Sequence, residues 1–391
     1  MFITDAVTKA QNRVGIASEQ PPLPAKSILQ IWTNAVSDSP SHPAFTCLGQ
    51  TLSYGEIDQL SRRVASYFQK RLNLKTGDRI AIQLPNLIQY PIVVIAAMKL
   101  GLVVVNTNPM YTVRELVHQF NDSGVKVVVA LDQFYSTLAE ALPQTSIEHV
   151  IVTRPIDLLP SPKQETLAIL MRLLGKRPAI KENSIIAFKE LLTVGTSYTP
   201  YSSSLNDICA LQYTGGTTGA SKGVKLTQTS LLSNIAQALE VISVGEDSLK
   251  YSTVIAPLPL YHIYAYSLCF GMLPAIRGHS ILIPDPRNIP LFVKAIRKFK
   301  FDIFCGLNSL FVALLQDKDF KRLDFSGLKM TLSGGMALMT SVAEDWQKVT
   351  GCVVSEGYGM EESIRGIVSG TTVADLLNNL ILADPDQSLK V

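Results

Sequence analysis

The sequence predicts an α/β fold with mostly parallel sheets, and three observations support this prediction. Strand-like and helical patterns alternate between residues 50 and 130, and a second alternation runs from Asp207 to Glu356. The chain has 391 residues, of which 47% are hydrophobic, enough for two or three packed subregions. Strands that alternate with helices of this length form parallel sheets covered by helices.

The first alternation contains three predicted helices and three predicted strands. The helices are Tyr54–Gln69, Leu87–Lys99 and Thr112–Asp122, and the strands are Arg79–Gln83, Val103–Asn106 and Val125–Leu131. Thr112 is followed three residues later by Glu115, which is the pattern of a capping box at a helix start. The longest apolar stretch, Tyr90–Met98, ends at Lys99 and is too short to span a membrane, so it predicts a buried core segment.

Residues 155–187 contain four prolines and predict a surface excursion between two lobes. Within this segment, residues 166–181 have an apolar helical face and a basic face. The apolar residues are Leu167, Leu170, Met171 and Leu174, and the basic residues are Arg172, Lys176, Arg177 and Lys181. Such a segment could lie on an anionic membrane surface, but an ordinary helix packed on its own protein with a solvated basic side is the commoner interpretation.

The second alternation predicts one helix and several strands. The helix is Ser230–Ile242, and the strands are Ile208–Tyr213, Val224–Leu226, Thr253–Ala256, Ser280–Ile283, Ile303–Cys305, Met330–Ser333 and Val353–Glu356.

Composition excludes several classes of protein. The formal net charge of +3, from 35 basic and 32 acidic residues, gives no electrostatic reason to expect nucleic acid as a partner. The five cysteines are scattered without a C-x-x-C pair, which argues against a disulfide framework or a zinc site. The first residues lack the pattern of a secretory signal, so a reducing, cytoplasmic location is expected.

Residues 213–224, YTGGTTGASKGV, have the composition of a phosphate-binding loop. Glycines allow the backbone amides to approach a polyanion, threonine hydroxyls add donors, and Lys222 adds a mobile positive charge. Because Ser221 precedes Lys222 and no G-x-G-x-x-G opens a helix, a P-loop kinase or a Rossmann dehydrogenase is disfavoured. A flexible connector would explain the glycines, but not three threonines and a lysine at this spacing.

This loop resembles the phosphate-binding signature of the adenylate-forming superfamily of acyl-CoA synthetases, luciferases and adenylation domains. Its Gly-Gly form resembles bacterial long-chain fatty acyl-CoA synthetases. Similar motifs extend over residues 28–363, including LSYGEIDQLSRRVASYF, NPMYTVRELVHQFNDSGVK, PLPLYHIYA, DPRNIP, LDFSGLKMTLSGGMAL and EGYGM. The resemblance implies the large N-terminal domain of that fold, with two αβ subdomains, mostly parallel sheets and a small β region.

The resemblance also implies a role for each matching residue. ATP would lie over Tyr213, Thr214, Gly215, Gly216, Thr217, Thr218, Gly219, Ala220, Ser221, Lys222, Gly223 and Val224, with Lys222 and Thr218 taking part in catalysis. The adenine and AMP wall would comprise Gly335, Glu356, Gly357, Tyr358, Gly359 and Met360, with Tyr358 stacked on adenine. Glu362 would hold magnesium, which prefers hard oxygen ligands.

The fatty acyl group would lie beside Tyr261, His262, Gly306, Gly334 and Gly335, with His262 at the reacting carboxylate. The implied reaction uses ATP, Mg²⁺ and CoA: a fatty carboxylate attacks the α-phosphate, and the CoA thiol then displaces AMP. Simpler interpretations stay open, since Tyr358 and His262 have the sequence surroundings of core residues and Gly334 and Gly335 suit a strand-to-helix turn.

The sequence departs from the family pattern in two places. Glu361 stands where the family has a threonine that hydrogen-bonds the α-phosphate, and a carboxylate there would repel phosphate. After Ser363 the resemblance stops, so we interpret 1–27 as an extension, 28–363 as the AMP-binding domain and 364–391 as an atypical tail. We expect the small C-terminal domain, with its catalytic lysine, to be absent and activity to be impaired.

Other functions therefore stay open besides fatty acyl-CoA formation. One is an acyl-AMP ligase with a different acceptor, and another is a non-catalytic nucleotide- or acyl-binding protein or a remnant. The resemblance also allows a homodimer and peripheral contact with the inner face of the membrane.

Overall fold

The computed structural model describes residues 21–159, 162, 164–166, 185–214, 221–243 and 249–357, which fold into two compact units. Among the described residues, one unit runs from Gly55 to Gln228, and the other combines residues 21–54 with those from Thr229 to Gly357. Each unit contains its own seven-stranded sheet. The prediction of two αβ subdomains is confirmed.

The described secondary structure comprises fourteen strands and a set of helices. The strands are β1 (Pro43–Cys47), β2 (Gln50–Ser53), β3 (Arg79–Gln83), β4 (Val103–Asn106), β5 (Val125–Leu131), β6 (His149–Thr153), β7 (Ile185–Ala187), β8 (Ile208–Thr214), β9 (Lys222–Thr227), β10 (Thr253–Ala256), β11 (His279–Leu282), β12 (Ile303–Gly306), β13 (Met330–Ser333) and β14 (Val354–Glu356). The helices are α1 (Ile28–Asp38), α2 (Tyr54–Lys70), α3 (Gln89–Leu100), α4 (Val113–Ser123), α5 (Tyr135–Ala141), α6 (Phe188–Leu191), α7 (Gln228–Ser243), α8 (Ile263–Ser267), α9 (Leu273–Ala275), α10 (Ile289–Ile296), α11 (Asn308–Gln316) and α12 (Thr340–Thr350). Three short 3₁₀ turns add Asp132–Phe134, Leu142–Gln144 and Phe320–Arg322, and a π-helical turn, Leu268–Met272, joins α8 to α9.

The sheet of the Gly55–Gln228 unit has the strand order β7-β6-β5-β3-β4-β8-β9. All neighbouring strands are parallel except β8 and β9, which form an antiparallel pair. The central strands are rich in valine and isoleucine and are buried on both faces, as expected for a parallel sheet covered by helices. Although the second alternation in the sequence begins at Asp207, its first two strands complete the sheet of the first.

Helix α3 is buried at every position, which confirms the predicted core segment and extends it to Lys99. The Lys99 side chain is 1% exposed, and its ammonium Nζ lies 2.5 Å from Oδ1 of Asp58. Burial lowers the pKa of Lys99, and the attraction of Asp58 opposes this effect. The carboxylate also accepts a hydrogen bond from Arg62 Nε at 2.5 Å, so two cations compensate its charge.

Helix α4 begins with the predicted capping box. The Thr112 hydroxyl accepts a hydrogen bond from the Glu115 amide, and the Glu115 carboxylate accepts one from the Thr112 amide at 2.7 Å. The helix ends at Gly124, whose φ of +64° is the left-handed conformation that glycine adopts readily. Its apolar face packs on the sheet through buried Leu116 and Phe120.

The sheet of the other unit has the strand order β14-β13-β12-β10-β11-β1-β2. Here β2 is antiparallel to β1, and every other pair is parallel. An aromatic cluster packs on this sheet around Trp346, whose ring centroid lies 5.0 Å from that of Phe304 and 4.6 Å from that of Phe311. Because the Trp346 indole also donates a hydrogen bond to Thr331 Oγ1 at 3.0 Å, its polar atom is satisfied within the core.

The described residues confirm the α/β fold class and the predicted elements, with shifts of one or two residues at several ends. No third sheet occurs in the ranges that the structure describes, so the small additional β region is not found there. All five cysteines are buried and free of disulfides. No helix within the described ranges has the length and apolar character required to cross a bilayer.

Three predicted segments other than the site motifs lie outside the described residues. These are the N-terminal extension up to residue 20, most of the basic amphipathic segment of residues 166–181, and the tail that follows residue 363. They stay predictions.

Candidate functional site

The β8–β9 hairpin carries the two ends of the predicted phosphate-binding loop. The strands pair in antiparallel register, with Tyr213 opposite Gly223 and Thr214 opposite Lys222. The chain therefore leaves the sheet after Thr214 and returns to it at Lys222, at adjacent positions. The intervening residues Gly215, Gly216, Thr217, Thr218, Gly219 and Ala220 lie outside the described part of the chain.

Lys222 is exposed at the start of β9, whereas Gly223 is buried. A β-carbon on Gly223 would lie 3.0 Å from Cζ of Tyr213, so the tyrosine ring covers the position where a larger residue would project. Val224 continues the strand opposite Gln212. The hairpin thus carries the charge of exposed Lys222 at its loop end, and the neighbouring Gly223 is closely packed against Tyr213.

Two polar residues of α4 contact the hairpin. His118 Nε2 lies 2.7 Å from the carbonyl oxygen of Ser221, and the Tyr213 hydroxyl donates a hydrogen bond to Asp122 Oδ2 at 2.5 Å. Burial raises the pKa of Tyr213, and the neighbouring Asp122 carboxylate raises it further. The contacts of His118 and Asp122 with the hairpin were not predicted from the sequence. The available signal was a pair of polar residues four positions apart on an amphipathic helix.

In the other unit, the carboxyl ends of β12, β13 and β14 meet at one edge of the sheet. The Gly334 amide donates a hydrogen bond to the Gly306 carbonyl at 3.2 Å, and the Gly357 amide donates one to the Ser333 carbonyl at 2.7 Å. Ligands of open α/β sheets bind outside such carboxyl ends. We call Gly306, Gly334, Gly335 and Gly357 the glycine edge.

Aromatic rings occupy the space beside two of these glycines. A β-carbon on Gly306 would lie 2.6 Å from Cε1 of Phe311, and one on Gly334 would lie 2.9 Å from Cε1 of Tyr264. Gly335 differs, because its φ is +82° and nothing lies within 4 Å of the position its β-carbon would take. Gly335 therefore makes a turn that other residues adopt with strain, which favours the strand-to-helix interpretation at this position.

Glu356 at the end of β14 supports the same turn. Its carboxylate Oε1 accepts a hydrogen bond from the Leu338 amide at 2.8 Å. Among the described contacts, this carboxylate acts as a fixed acceptor for the backbone that follows the glycine edge. Gly357, the last described residue, places the start of the predicted adenine wall beside β13.

His262 directly precedes helix α8, and its side chain is exposed. The backbone fixes its position, since its amide donates to the Pro259 carbonyl and its carbonyl accepts from the Tyr266 amide, both at 2.9 Å. Its ring centroid lies 4.9 Å from that of half-buried Tyr261. Burial raises the pKa of Tyr261, and Arg287 acts in the opposite direction.

The structure thus groups the predicted residues in two places. Within the Gly55–Gln228 unit, the hairpin brings together Tyr213, Thr214, Ser221, Lys222, Gly223 and Val224. Within the other unit, one sheet edge brings together Gly306, Gly334, Gly335, Glu356 and Gly357, and α8, which begins after His262, reaches that edge through Tyr264.

The predicted adenine and metal residues are only partly described. Tyr358, Gly359, Met360, Glu361 and Glu362 lie beyond the last described residue. Across the residues with described coordinates, no group of three or more His, Cys, Asp or Glu side chains could hold a metal ion. Glu362, the predicted magnesium ligand, is outside these described residues.

Comparisons with known proteins show the family and the fold of this chain. The family model described as AMP-binding enzyme matches residues 32–383. A long-chain-fatty-acid–CoA ligase of Haemophilus influenzae is 40% identical over 342 residues, covering 86% of this chain and 61% of the relative. A ligase of the same name from Salmonella typhimurium is 37% identical over 344 residues, covering 86% of this chain and 60% of the relative. The chain therefore spans about three fifths of the length of these relatives.

Solved structures show the same fold at low sequence identity. An anthranilate CoA ligase in complex with anthranoyl-AMP has a TM-score of 0.75 at 18% identity, covering 89% of this chain and 62% of that chain. A long-chain-fatty-acid–CoA ligase from Archaeoglobus fulgidus has a TM-score of 0.72 at 20% identity, covering 89% of this chain and 66% of that chain. The fold is that of the adenylate-forming ligases, and the match of the family model over most of the sequence shows that the chain belongs to the AMP-binding enzyme family.

Proposed function

We propose that this protein activates long-chain fatty acids with ATP, forming acyl-adenylate and then acyl-CoA. The proposal draws on its similarity to long-chain-fatty-acid–CoA ligases. The observation that carries it is the pairing of Thr214 with Lys222, which brings both ends of the glycine- and threonine-rich segment to adjacent positions. Such a segment can direct several backbone amides toward one polyanion.

In the first half-reaction, an oxygen of the fatty carboxylate attacks the α-phosphorus of ATP, and the bond to pyrophosphate breaks. Lys222 would follow the negative charge of the departing pyrophosphate, while Thr218 would donate a hydrogen bond to a phosphate oxygen. His262 would lie beside the carboxylate, and Tyr358 would stack on adenine. Positioning and charge stabilisation account for most of the barrier reduction in such a step.

Magnesium, when bound, would neutralise phosphate charge, with Glu362 as the oxygen ligand from the protein. In the second half-reaction, the CoA thiol attacks the acyl carbonyl and AMP leaves. The fatty chain would lie along the glycine edge, beside Tyr264, whose ring lies against Gly334. Each buried methylene of the chain contributes about 0.8 kcal/mol to binding.

Exchange of radiolabelled pyrophosphate into ATP, with palmitate and magnesium present, measures the first half-reaction alone. We expect exchange that depends on palmitate and that Lys222→Ala reduces by about tenfold or more. Lys225→Ala is the matched control, since Lys225 lies on the same strand opposite Leu211 rather than at the loop. Equal losses in the two variants, or no exchange by the folded wild-type protein, would contradict the proposal.

Glu361 favours a second candidate, a nucleotide- or acyl-binding protein that does not catalyse adenylation. A carboxylate near the α-phosphate repels it in a site that excludes part of the water. In this case ATP would bind weakly without exchange, and Glu361→Thr would raise the exchange rate. An unchanged rate in that variant would remove the argument for the second candidate.

The proposal extends to the location of the protein in the cell. Long-chain fatty acids partition into membranes, and the basic amphipathic residues 166–181 have the composition of a segment that lies on an anionic surface. We therefore propose a cytoplasmic protein with peripheral membrane contact. Co-sedimentation with anionic and neutral lipid vesicles tests this contact, and sedimentation equilibrium tests the homodimer that the resemblance allows.

A further inference from the structure

We propose that His118 and Asp122 are positioning residues that fix the two strands of the β8–β9 hairpin where the loop leaves and rejoins them, and that they thereby set the affinity for ATP at this loop. We call these two residues, with their partners Ser221 and Tyr213, the α4 clamp. The inference rests on the proposed function, because it concerns nucleotide binding at the same loop.

The two clamp residues act on opposite strands of the hairpin. They are four positions apart, so they project from the same face of α4. His118 reaches Ser221, the residue before β9, and Asp122 reaches Tyr213, near the end of β8. One helix face therefore fixes the segment at the point where it leaves the sheet and at the point where it returns.

The chemistry of the His118 contact is determined by its partner. A carbonyl oxygen only accepts hydrogen bonds, so Nε2 of His118 must carry the hydrogen and donate it to Ser221 at 2.7 Å. This bond holds the peptide that immediately precedes Lys222. The bond therefore restrains the direction in which the Lys222 side chain projects from β9, although His118 contacts only the backbone.

The Asp122 contact reaches the opposite strand as well. Its partner Tyr213 places its ring against Gly223, as shown by the 3.0 Å separation between a β-carbon on that glycine and Cζ of the ring. The hydrogen bond to Asp122 thus fixes a side chain that touches both strands. A shift of the ring would loosen the pairing next to Thr214 and Lys222.

Helix α4 is itself well anchored, as a positioning element must be. Its first turn is fixed by the capping box of Thr112 and Glu115. Leu116 and Phe120 are buried in the core, and the Gln119 amide donates a hydrogen bond to the Asn106 carbonyl at 3.0 Å. Residues on its exposed edge can therefore hold the hairpin against a fixed reference.

A preorganised loop binds more tightly because less conformational freedom is lost when phosphate binds. Removing the His118 donor should release the peptide before Lys222. Part of the binding free energy of ATP would then be used to order this peptide. The expected loss is that of one hydrogen bond, which raises the Kd for ATP about tenfold. The overall fold should be little affected, since His118 lies at the half-buried rim of the helix.

The test compares two substitutions at the same position. His118→Gln keeps an N–H donor at similar reach, whereas His118→Leu keeps the bulk and removes the donor. Calorimetric titration with Mg·ATP should give a Kd about tenfold higher for the leucine variant, and a Kd within about threefold of wild type for the glutamine variant. Hydrogen–deuterium exchange at the amides of residues 221–227 should be faster in the leucine variant alone.

Equal Kd values for the two variants would overturn the proposal. A rate of hydrogen–deuterium exchange in residues 221–227 of the leucine variant equal to that of the wild type would also overturn it. Asp122→Ala, at an exposed position, gives a second test, with faster exchange expected in both β8 and β9. A folded wild-type protein that binds no ATP would overturn the proposed function and the effect of the clamp on affinity together. In that outcome, hydrogen–deuterium exchange still shows whether His118 and Asp122 restrain the hairpin.

Discussion

The loop end of the β8–β9 hairpin lies at the carboxyl end of β8, and the glycine edge lies at the carboxyl ends of β12, β13 and β14, yet different kinds of contact surround the two regions. Side-chain hydrogen bonds hold the hairpin, through His118 and Asp122. At the glycine edge, the rings of Phe311 and Tyr264 lie close to Gly306 and Gly334, which carry no side chain. Substitutions should therefore weaken the hairpin by removing atoms and the glycine edge by adding them.

The largest effect is expected at Gly306. A β-carbon there would lie 2.6 Å from the ring of Phe311, which is fully buried in the aromatic cluster. Because that ring has little room to move, Gly306→Ala should lower the free energy of unfolding by about 3 kcal/mol. Gly327→Ala is the matched control, since its β-carbon would meet its nearest neighbour, the Phe301 carbonyl, at an ordinary 3.4 Å. Urea unfolding measures both, and equal losses would refute the packing explanation.

A smaller effect is expected at Gly335, where space is open and the backbone is the constraint. With φ at +82°, Gly335→Ala should cost about 1.5 kcal/mol from left-handed strain. Gly335→Asn should cost less, because asparagine tolerates this conformation better. If the two variants unfold at the same urea concentration, steric strain of the backbone is not the reason for glycine here.

The smallest effect on stability is expected at the hairpin, where one hydrogen bond is removed. Tyr213→Phe deletes the donor to Asp122 and should lower the free energy of unfolding by about 1 kcal/mol. Tyr201→Phe is the matched control, because it deletes a similar bond, 3.0 Å long, from Tyr201 to Asp207 in the same unit. Only Tyr213→Phe should also weaken ATP binding, as measured by titration. Equal ATP affinity in the two variants would show that the hydrogen bond between Tyr213 and Asp122 does not affect nucleotide binding.

Much of the local structure followed from short sequence patterns. The bounds of β3, β4 and β5 match their predictions, because β-branched runs between turn residues have few other stable conformations. The capping box at Thr112 was also predicted, since its two hydrogen bonds join residues only three apart. Thr214 and Lys222 were predicted as site residues from the composition of the segment that they enclose, and the structure pairs them across the hairpin.

The long-range arrangement could not be predicted in the same way. Nothing in the local pattern of β8 indicates that it pairs with β4, more than 100 residues earlier, or that β1 pairs with β11. Lys99 gives a similar example, because the sequence showed only a charge at the end of an apolar stretch. Its burial depends on Asp58, a residue 41 positions away that compensates its charge.

The sequence by itself determined the α/β class, the approximate bounds of ten of the fourteen described strands and four of the twelve described helices, and the glycine- and threonine-rich segment that is predicted to bind phosphate. These features depend on residues within a few positions of each other, through backbone sterics, capping and hydrophobic periodicity. Only the tertiary structure decided the two sheet orders, the contact of His118 with Ser221, and the rings that cover Gly306 and Gly334. Such contacts join residues distant in sequence, and their geometry exists only once the sheets and helices have packed together.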